Sequence, residues 1–279
     1  MTNTIGTVYL RTANLERLVT FYQDVIGLQV QRVDGDTTYL GVDDTDLLAL
    51  IHTPDGRKYA GVTGLFHFAL LVPARADLAK SLKHLVETRT RLQGMSDHLV
   101  SEAVYLADPD GNGIEIYRDR PREDWVDAQG SFQMDTIPMG YQGVMSTLDA
   151  AAATWNGIAS GTVMGHIHLH VSDIPQSNTY YTDALGMDLM ANWSSALFLS
   201  YDGYHHHVGA NTWGGRNPAP ADALGLSHFE LRLPDHQLQA LLGHFDQAGL
   251  PVDARDDGHL IRDPSANAIL LQSIDGLHG

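Results

Sequence analysis

The sequence repeats one short pattern four times, and this repetition restricts the fold more than any other feature. Each copy opens with a strand-like run that passes through a polar turn into an amphipathic stretch of about a dozen residues. The copies start with GTVYLRTANLERLVTFYQDVIGLQV from Gly6, FHFALLVPARADLAKSLKHLVE from Phe66, GHIHLHVSDIPQSNTYYTDALGMDL from Gly165, and SHFELRLPDHQLQALLGHFDQAGL from Ser227.

The amphipathic stretches predict helices because their apolar residues recur at helical spacing. In the first copy Leu15, Leu18, Val19 and Tyr22 share one face. Strand-like runs separated by turn signals follow each helix, for example TTYLGV and LLALI in the first copy. We therefore predict an α+β protein built from four βαβββ modules. Their predicted limits are 5–53, 64–120, 163–213 and 225–273.

The spacing of the modules predicts two tandem pairs joined by a connector. Residues 1–120 hold the first pair and residues 163–279 hold the second. Residues 121–162 mix glycine, alanine and polar side chains, which is typical of a linker, and we expect a short helix around 148–154. The connector is long enough to let the two halves rearrange relative to each other.

Composition excludes several classes of function. Acidic residues outnumber basic ones 34 to 17, which argues against a surface that follows nucleic-acid phosphates. No apolar run approaches the roughly 20 residues of a membrane span. The N-terminus lacks the basic start and apolar core of a signal peptide, so we expect a cytoplasmic protein. Because cysteine is absent, disulfides and thiolate chemistry are excluded, and the 15 histidines become the residues to explain.

Several stretches resemble known module signatures. The phrases FYQDVIGLQV, YYTDALGMDL and DPDGNGIEIY resemble those of the vicinal oxygen chelate superfamily, which contains glyoxalase I, bleomycin-resistance proteins and extradiol dioxygenases. GHIHLHVSD, YHHHVGANTW, SDHLVSEAVYL and GNGIEIYRDRP are similar to stretches of the bacillus-type catechol-2,3-dioxygenases. The resemblance covers nearly the whole chain except the connector. It implies that modules pair into two cupped, barrel-like mixed sheets flanked by helices, with a metal ion in the cup.

Aligning the modules identifies side chains at equivalent positions. The first strands place together Thr7, His67, His166 and His228. The last strands, aligned on the turns DPDGNGIE, YDGYHHH and DPSANAIL, place together Glu115, His207 and Leu270. Because side chains alternate along a strand, equivalent positions face the same way. The second module therefore offers a histidine and a carboxylate, whereas the third offers two histidines.

The choice of module pairs decides whether these groups can meet. Pairing of sequence neighbours would separate His67 and Glu115 from His166 and the other histidines. Pairing the second module with the third assembles the ligand set that the resemblance implies, namely His67, His166 and Glu115. We therefore hypothesise that these modules pair, and that the first and fourth form a second, inactive cup. Without the repeat, a histidine at a strand start would be read as a capping or core residue.

Two imidazoles and one carboxylate leave open positions on an octahedral ion, which suits non-haem Fe(II) oxygenases. We predict Fe(II) as the cofactor, with Mn(II) as the alternative because both ions accept nitrogen and oxygen donors. A structural role is predicted for His228, since Leu270 occupies its partner position. His168 and His170 share the face of His166, where they either contact substrate or pack against the core.

The resemblance also implies three catalytic residues around the metal. His207 occupies the place of the family's acid/base histidine, with a fourth metal ligand and a structural role as the alternatives. His206 would replace it if the register shifted by one residue. Tyr105 matches the tyrosine on the strand before the glutamate ligand, and His98 matches the histidine on the preceding loop. The alternatives are a buried structural tyrosine and a surface histidine.

These inferences predict an extradiol (meta) ring-cleaving dioxygenase that acts on catechol or a small substituted catechol, with O₂ as its second substrate. We expect no nucleic-acid or membrane partner, and a homo-oligomer stays open because no motif fixes the oligomeric state. A glyoxalase-type isomerase or lyase is the first alternative, but it favours a second glutamate where His207 stands. A non-catalytic binding protein of the bleomycin-resistance kind is the second alternative, but such proteins usually lack a complete metal triad.

Overall fold

The computed structural model describes residues 4–148 and 154–276, and its first two modules have the predicted βαβββ order. The first module consists of β1 (Ile5–Thr12), α1 (Leu15–Phe21), a π-helical turn (Tyr22–Ile26), β2 (Gln29–Asp34), β3 (Thr37–Val42) and β4 (Thr45–His52). A short strand β5 (Gly61–Val62) precedes the second module, which consists of β6 (Gly64–Leu71), α2 (Arg75–Glu87), β7 (Leu92–Asp97), β8 (Ser101–Ala107) and β9 (Gly113–Asp119).

The connector and the last two modules complete the chain. The connector holds a 3₁₀ turn (Arg122–Trp125), β10 (Ile137–Pro138) and α3 (Tyr141–Met145), and most of the short helix predicted around 148–154 lies outside the described residues. The third module consists of β11 (Val163–His170), α4 (Ile174–Thr179), a π-helical turn (Tyr180–Ala184), β12 (Asp188–Trp193), β13 (Ala196–Ser200) and β14 (Val208–Asn211). After β15 (Gly215–Asn217), the fourth consists of β16 (Gly225–Leu233), α5 (Asp235–Ala248), β17 (Asp253–Arg255), β18 (Gly258–Arg262) and β19 (Ala268–Ser273), followed by a 3₁₀ turn (Ile274–Gly276).

The strand order shows which modules share a sheet. One eight-stranded sheet has the order β17-β18-β19-β16-β1-β4-β3-β2 and therefore holds the fourth and first modules. One nine-stranded sheet has the order β10-β7-β8-β9-β6-β11-β14-β13-β12 and holds the second and third modules. This order agrees with the cross-pairing hypothesis and confirms the α+β class. The predicted domain limits of 1–120 and 163–279 stay a prediction.

The described residues form two compact units. The first comprises 4–13, 53–66 and 165–276, and in it β16 pairs antiparallel with β1 and parallel with β19. The helix α5 covers this part of the sheet with Leu238, Leu241 and Phe245, which are buried. Burial of such side chains is the main source of stability, at about 1.5–3 kcal/mol each.

The second unit comprises 14–52, 67–148 and 154–164. In it β6 pairs parallel with β9, and α2 buries Leu78, Leu82 and Leu85. The segment 154–164 is fastened to this unit because the Trp155 ring stacks on His84, with 4.0 Å between ring centroids. Among the described helices of both units, none has the length and apolar character that crossing a membrane requires.

Two tyrosines at equivalent positions tie consecutive modules together. The Tyr22 hydroxyl donates to Asp108 Oδ2 at 2.8 Å, and the Tyr181 hydroxyl donates to Asp263 Oδ2 at 3.1 Å. Burial raises the pKa of both tyrosines well above the ordinary value, and the facing carboxylate adds to the rise. Each phenol therefore keeps its proton and anchors the helix of one module to a turn of the next.

His228 lies on β16, stacked against Tyr9 of β1 with 4.0 Å between ring centroids. Burial, together with the smaller effect of the charges of Arg255, Arg11 and Arg262, lowers the pKa of His228 from an ordinary 6.5 to about 4. The imidazole is therefore neutral at physiological pH. The structural role predicted for this residue agrees with its position in the sheet.

We expect His228 to make the protein less stable in mild acid. Its pKa is lower in the folded than in the unfolded chain, so protonation of His228 favours unfolding. The contribution of neutral His228 to the free energy of unfolding is therefore complete above pH 6.5 and is lost as the pH falls towards 4. Between pH 7.5 and 5.0 the loss amounts to about 2 kcal/mol. Urea denaturation of wild type and His228→Gln at both pH values measures it. An equal pH dependence in the two proteins would rule out this contribution.

Candidate metal centre

His67 and Glu115 are brought together by the parallel pairing of β6 with β9. In this register His67 lies opposite Gly113, and Ala69 lies opposite Glu115. The His67 Nε2 is 3.0 Å from Glu115 Oε2, and both side chains are buried, with 8% and 3% of their surface exposed. A buried carboxylate is costly unless a positive charge or several hydrogen bonds compensate it. This pair therefore has the chemistry of a cation site.

His166 supplies a third ligand atom from β11. One ligand atom from each of His67, Glu115 and His166 lies within 4.8 Å of the other two, and all three residues are buried. Metal–ligand bonds of about 2.0–2.2 Å place two ligands of one ion no more than roughly 4.4 Å apart, so small shifts suffice for a single ion. The donor set of two imidazoles and one carboxylate fits a divalent metal with open positions. These residues form the candidate metal centre, and they are the three ligands predicted from the sequence.

The predicted equivalence of His207 with Glu115 is wrong by two residues. The residue two positions after His67 is Ala69, which pairs with Glu115. The residue two positions after His166 is His168, which pairs with Gly209. Gly209 is therefore the counterpart of Glu115. A Cβ at this glycine would lie 2.8 Å from the ring of His168, so a side chain there would force His168 to move.

His207 instead ends the loop before β14. Its backbone N–H donates to Leu199 O, and its carbonyl accepts from the Ile167 N–H. Its Nδ1 accepts from the backbone N–H of Tyr201 at 3.1 Å, which fixes the ring orientation. The half-buried His207 is thus held by β11, β13 and the loop, and its catalytic role stays a prediction.

The histidine beside the ligand His166 is His206, which the sequence named only as the alternative to His207. The rings of His166 and His206 are 4.1 Å apart between centroids. His206 Nδ1 is 2.9 Å from the Nδ1 of His205, a completely buried residue that sequence reasoning missed. One of these two nitrogens must carry a proton for the bond to form. The run of three histidines in YHHHV was the available signal for His205.

Tyr105 and His98 form a hydrogen-bonded pair. Tyr105 lies opposite Glu115 in the antiparallel register of β8 and β9, and its ring centroid is 5.6 Å from that of His67. The Tyr105 hydroxyl is 2.7 Å from His98 Nε2, and His98 Nδ1 lies 2.9 Å from Asp135 O. Burial raises the pKa of Tyr105 well above its ordinary value, and the Glu115 charge adds to the rise. The phenol therefore stays protonated and can donate.

An aromatic cluster surrounds His168 on the strand of His166. The centroid of the His168 ring lies 5.1 Å from that of Phe66, 5.7 Å from that of Phe198 and 5.7 Å from that of Trp213. Of the two roles left open for His168, packing has this direct support. For His170, a hydrogen bond supports the packing role, because its Nδ1 lies 2.8 Å from Asn211 Oδ1.

Comparison with known proteins places this site in a family. A model described as Glyoxalase/Bleomycin resistance protein/Dioxygenase superfamily matches residues 4–116. The chain is 38% identical over 275 residues to catechol-2,3-dioxygenase of Bacillus subtilis (strain 168), and the match covers 95% of each protein. The chain belongs to the glyoxalase/bleomycin resistance protein/dioxygenase superfamily. The resemblance inferred from the module signatures is thereby confirmed.

Other members of the superfamily extend the comparison. Lactoylglutathione lyase of Neisseria meningitidis serogroup A is 30% identical over 126 residues, which is 42% of this chain and 91% of the lyase. The crystal structure of glyoxalase I from Zea mays superposes with a TM-score of 0.59 at 15% identity, covering 97% of this chain and 92% of that one. At this identity the superposition establishes a shared fold.

We expect the metal centre to bind one divalent ion per chain and to lose it when a ligand is removed. Glu115→Ala should lose most of the bound metal, because two neutral imidazoles remain to hold the ion. Elemental analysis after reconstitution and desalting measures the content. Two variants are the controls. His228→Ala alters the equivalent position in the sheet of the first and fourth modules, and His52→Ala removes an exposed histidine. Undiminished metal in Glu115→Ala would exclude this site.

Proposed function

We propose that the protein is an Fe(II)-dependent extradiol dioxygenase that cleaves the ring of catechol or a small substituted catechol. The observation that carries the proposal is the grouping of His67, Glu115 and His166 within 4.8 Å, two imidazoles and a carboxylate. The 38% identity to a catechol-2,3-dioxygenase along 95% of both chains supports the same reaction class. Mn(II) is the alternative ion, because its ligand preferences overlap those of Fe(II).

His67, Glu115 and His166 would hold the ion, which supplies the redox chemistry that lets O₂ react with an aromatic ring. Three protein ligands leave coordination positions for small molecules. The carboxylate contributes the single formal negative charge among these ligands, so the site keeps a net positive charge with a divalent ion. Such a charge favours the deprotonated form of a catechol hydroxyl.

Tyr105 and His98 are proposed to orient the substrate. The Tyr105 phenol keeps its proton because burial and the Glu115 charge raise its pKa, so it can donate to a substrate oxygen. His98 Nε2, at 2.7 Å from the Tyr105 oxygen, is then the group that controls the direction of the phenol proton. The contact of His98 Nδ1 with Asp135 O fixes the imidazole in place.

Proton transfer is proposed for His206, with His207 as the rival assignment from the sequence. A histidine titrates near neutral pH and can accept a catechol proton and return it during ring opening. The centroid of the His206 ring lies 4.1 Å from that of the proposed ligand His166. His207 has its Nδ1 engaged by the backbone N–H of Tyr201.

A glyoxalase-type isomerase remains the second candidate because a lactoylglutathione lyase matches 42% of the chain. Its enediolate chemistry favours a second glutamate facing the first. The register puts Gly209, a residue without a side chain, at the counterpart of Glu115. This position argues for the dioxygenase.

The direct test is the reaction of catechol with Fe(II)-reconstituted protein in air. We expect a yellow ring-cleavage product together with uptake of one O₂ per catechol, and no reaction in metal-free protein or in Glu115→Ala. Mn(II)-reconstituted protein measured in parallel decides between the ions. Turnover of a methylglyoxal–thiol adduct with no O₂ uptake on catechol would instead support the isomerase.

Comparison of His206→Ala with His207→Ala tests the proton-transfer assignment. We expect His206→Ala to lower kcat by about 10²–10⁴-fold, the usual contribution of a general acid or base, and to remove one limb of the pH profile. His207→Ala should lower kcat by less than about tenfold, since its contacts support a loop. Both variants should retain bound metal. The reverse order of effects would assign the role to His207.

A further inference from the structure

The sheet of the first and fourth modules has its own histidine at the ligand position, with a leucine where the other sheet has its carboxylate. His228 lies on β16, and Leu270 of β19 stands where the other sheet carries Glu115. The ring of His228 stacks on Tyr9 at 4.0 Å with an interplanar angle of 16°. A buried apolar cluster lies on the adjacent strands and consists of Leu260, Ala268 and Leu270.

Three arginines gather around His228. Arg11 follows Tyr9 by two residues on β1 and therefore shares its face. Arg262 lies on β18 opposite Ala268, a member of the apolar cluster, and Arg255 lies on β17. All three are close enough to act electrostatically on His228, and Arg262 also acts on Arg11. We call Arg11, Arg255 and Arg262 the arginine group.

The arginine group has little compensating negative charge from the protein. Within residues 4–148 and 154–276, the Arg11 side chain makes no hydrogen bond or ion pair. Arg262 donates to the carbonyl of Ala266 at 3.2 Å, and Arg255 reaches Asp253 only at 3.4 Å between exposed groups. The chain has a formal net charge of −17, so this clustering is not a result of basic composition.

The buried carboxylate on the same face is already engaged. Glu230 Oε2 accepts from the Thr7 N–H at 2.8 Å and from Arg232 Nη2 at 2.5 Å, and its Oε1 accepts from the Tyr9 hydroxyl at 2.9 Å. Three charge-assisted hydrogen bonds use most of its acceptor capacity. Glu230 therefore neutralises Arg232 and positions Tyr9.

We propose that this face of the sheet, around Tyr9, His228 and the arginine group, binds a small planar organic carboxylate. Guanidinium groups recognise carboxylates through paired N–H donors, and Arg11 has its donors available for such a partner. The stacked rings and the apolar cluster match the body of a planar molecule. The exposed side chains of Arg255 and Arg262 open this face to solvent.

Two sources supply such a ligand, and the second of them rests on the proposed function. Carboxylates with a planar body include aromatic acids and the conjugated acids that ring cleavage beside a diol produces. Both share an anionic head and a flat apolar body, and the arginine group would bind the head of either. Benzoate is therefore a suitable probe for the first source, and the purified product of catechol cleavage is the probe for the second.

Isothermal titration of the metal-loaded protein with benzoate tests the proposal. We expect saturable binding that weakens with added salt, and a dissociation constant at least about tenfold higher in Arg11→Gln and in Arg262→Gln. Benzamide, which has the same shape without the charge, should bind at least about tenfold more weakly than benzoate. Benzoate should also raise the Tm of wild type more than that of Arg11→Gln.

Two controls separate this face from other sites. Arg216→Gln removes an equal charge from the exposed strand β15 and should bind benzoate like wild type. His166→Ala alters the metal centre and should also keep benzoate binding. Arg11→Gln should remain folded, with an unliganded Tm no lower than that of wild type, because it relieves repulsion within the arginine group.

Several outcomes would overturn the proposal. Benzoate binding that persists in Arg11→Gln and Arg262→Gln, or disappears in His166→Ala, would place the ligand elsewhere. Equal binding of benzamide would remove the role of charge, and equal binding of inorganic phosphate would contradict the need for a planar carboxylate. Binding of the ring-cleavage product but not of benzoate would support the second source of the ligand.

Discussion

The parallel pairing of the first and last strand within the second, third and fourth modules is the constraint on which the site depends. It sets one register in the second, third and fourth modules, represented by Ala69 opposite Glu115, His168 opposite Gly209 and Glu230 opposite Leu270. A slip by one residue would turn every side chain to the other face of its sheet. The register therefore decides which side chains of a module meet. The same scaffold can carry a metal ligand, a glycine or a leucine at one geometric position, and among these three modules the second carries the carboxylate.

The two sheets illustrate how a repeated scaffold separates chemistry from support. The sheet of the second and third modules collects His67, Glu115 and His166, which fit a divalent ion. The sheet of the first and fourth modules keeps a histidine, His228, but surrounds it with arginines and an apolar cluster. Burial of that histidine favours its neutral form, whereas a carboxylate beside the other histidines favours a cation. Opposite electrostatic environments thus arise at equivalent places of one fold.

Much of this organisation could be predicted from the sequence, because a repeat makes each module a test of the others. Strand alternation and helical periodicity identified four βαβββ modules, and ligand chemistry favoured the observed strand order. The register of the third module could not be predicted, because the loop YDGYHHH differs in length from the turn DPDGNG and the alignment set His207 in the place of Gly209. The π-helical turns at Tyr22–Ile26 and Tyr180–Ala184 also lack a periodic signature. Contacts of loop residues such as His205 depend on tertiary packing that no local pattern records.

Anomalous diffraction from crystals of the Fe(II)-loaded protein, collected on both sides of the iron absorption edge, tests the central claim most directly. The account predicts one strong anomalous peak per chain, bonded to nitrogens of His67 and His166 and to an oxygen of Glu115 at about 2.0–2.2 Å. It also predicts no peak beside His228, where leucine replaces the carboxylate. A peak at another place, or three ligand side chains that pack together in iron-loaded crystals without an ion between them, would contradict the account.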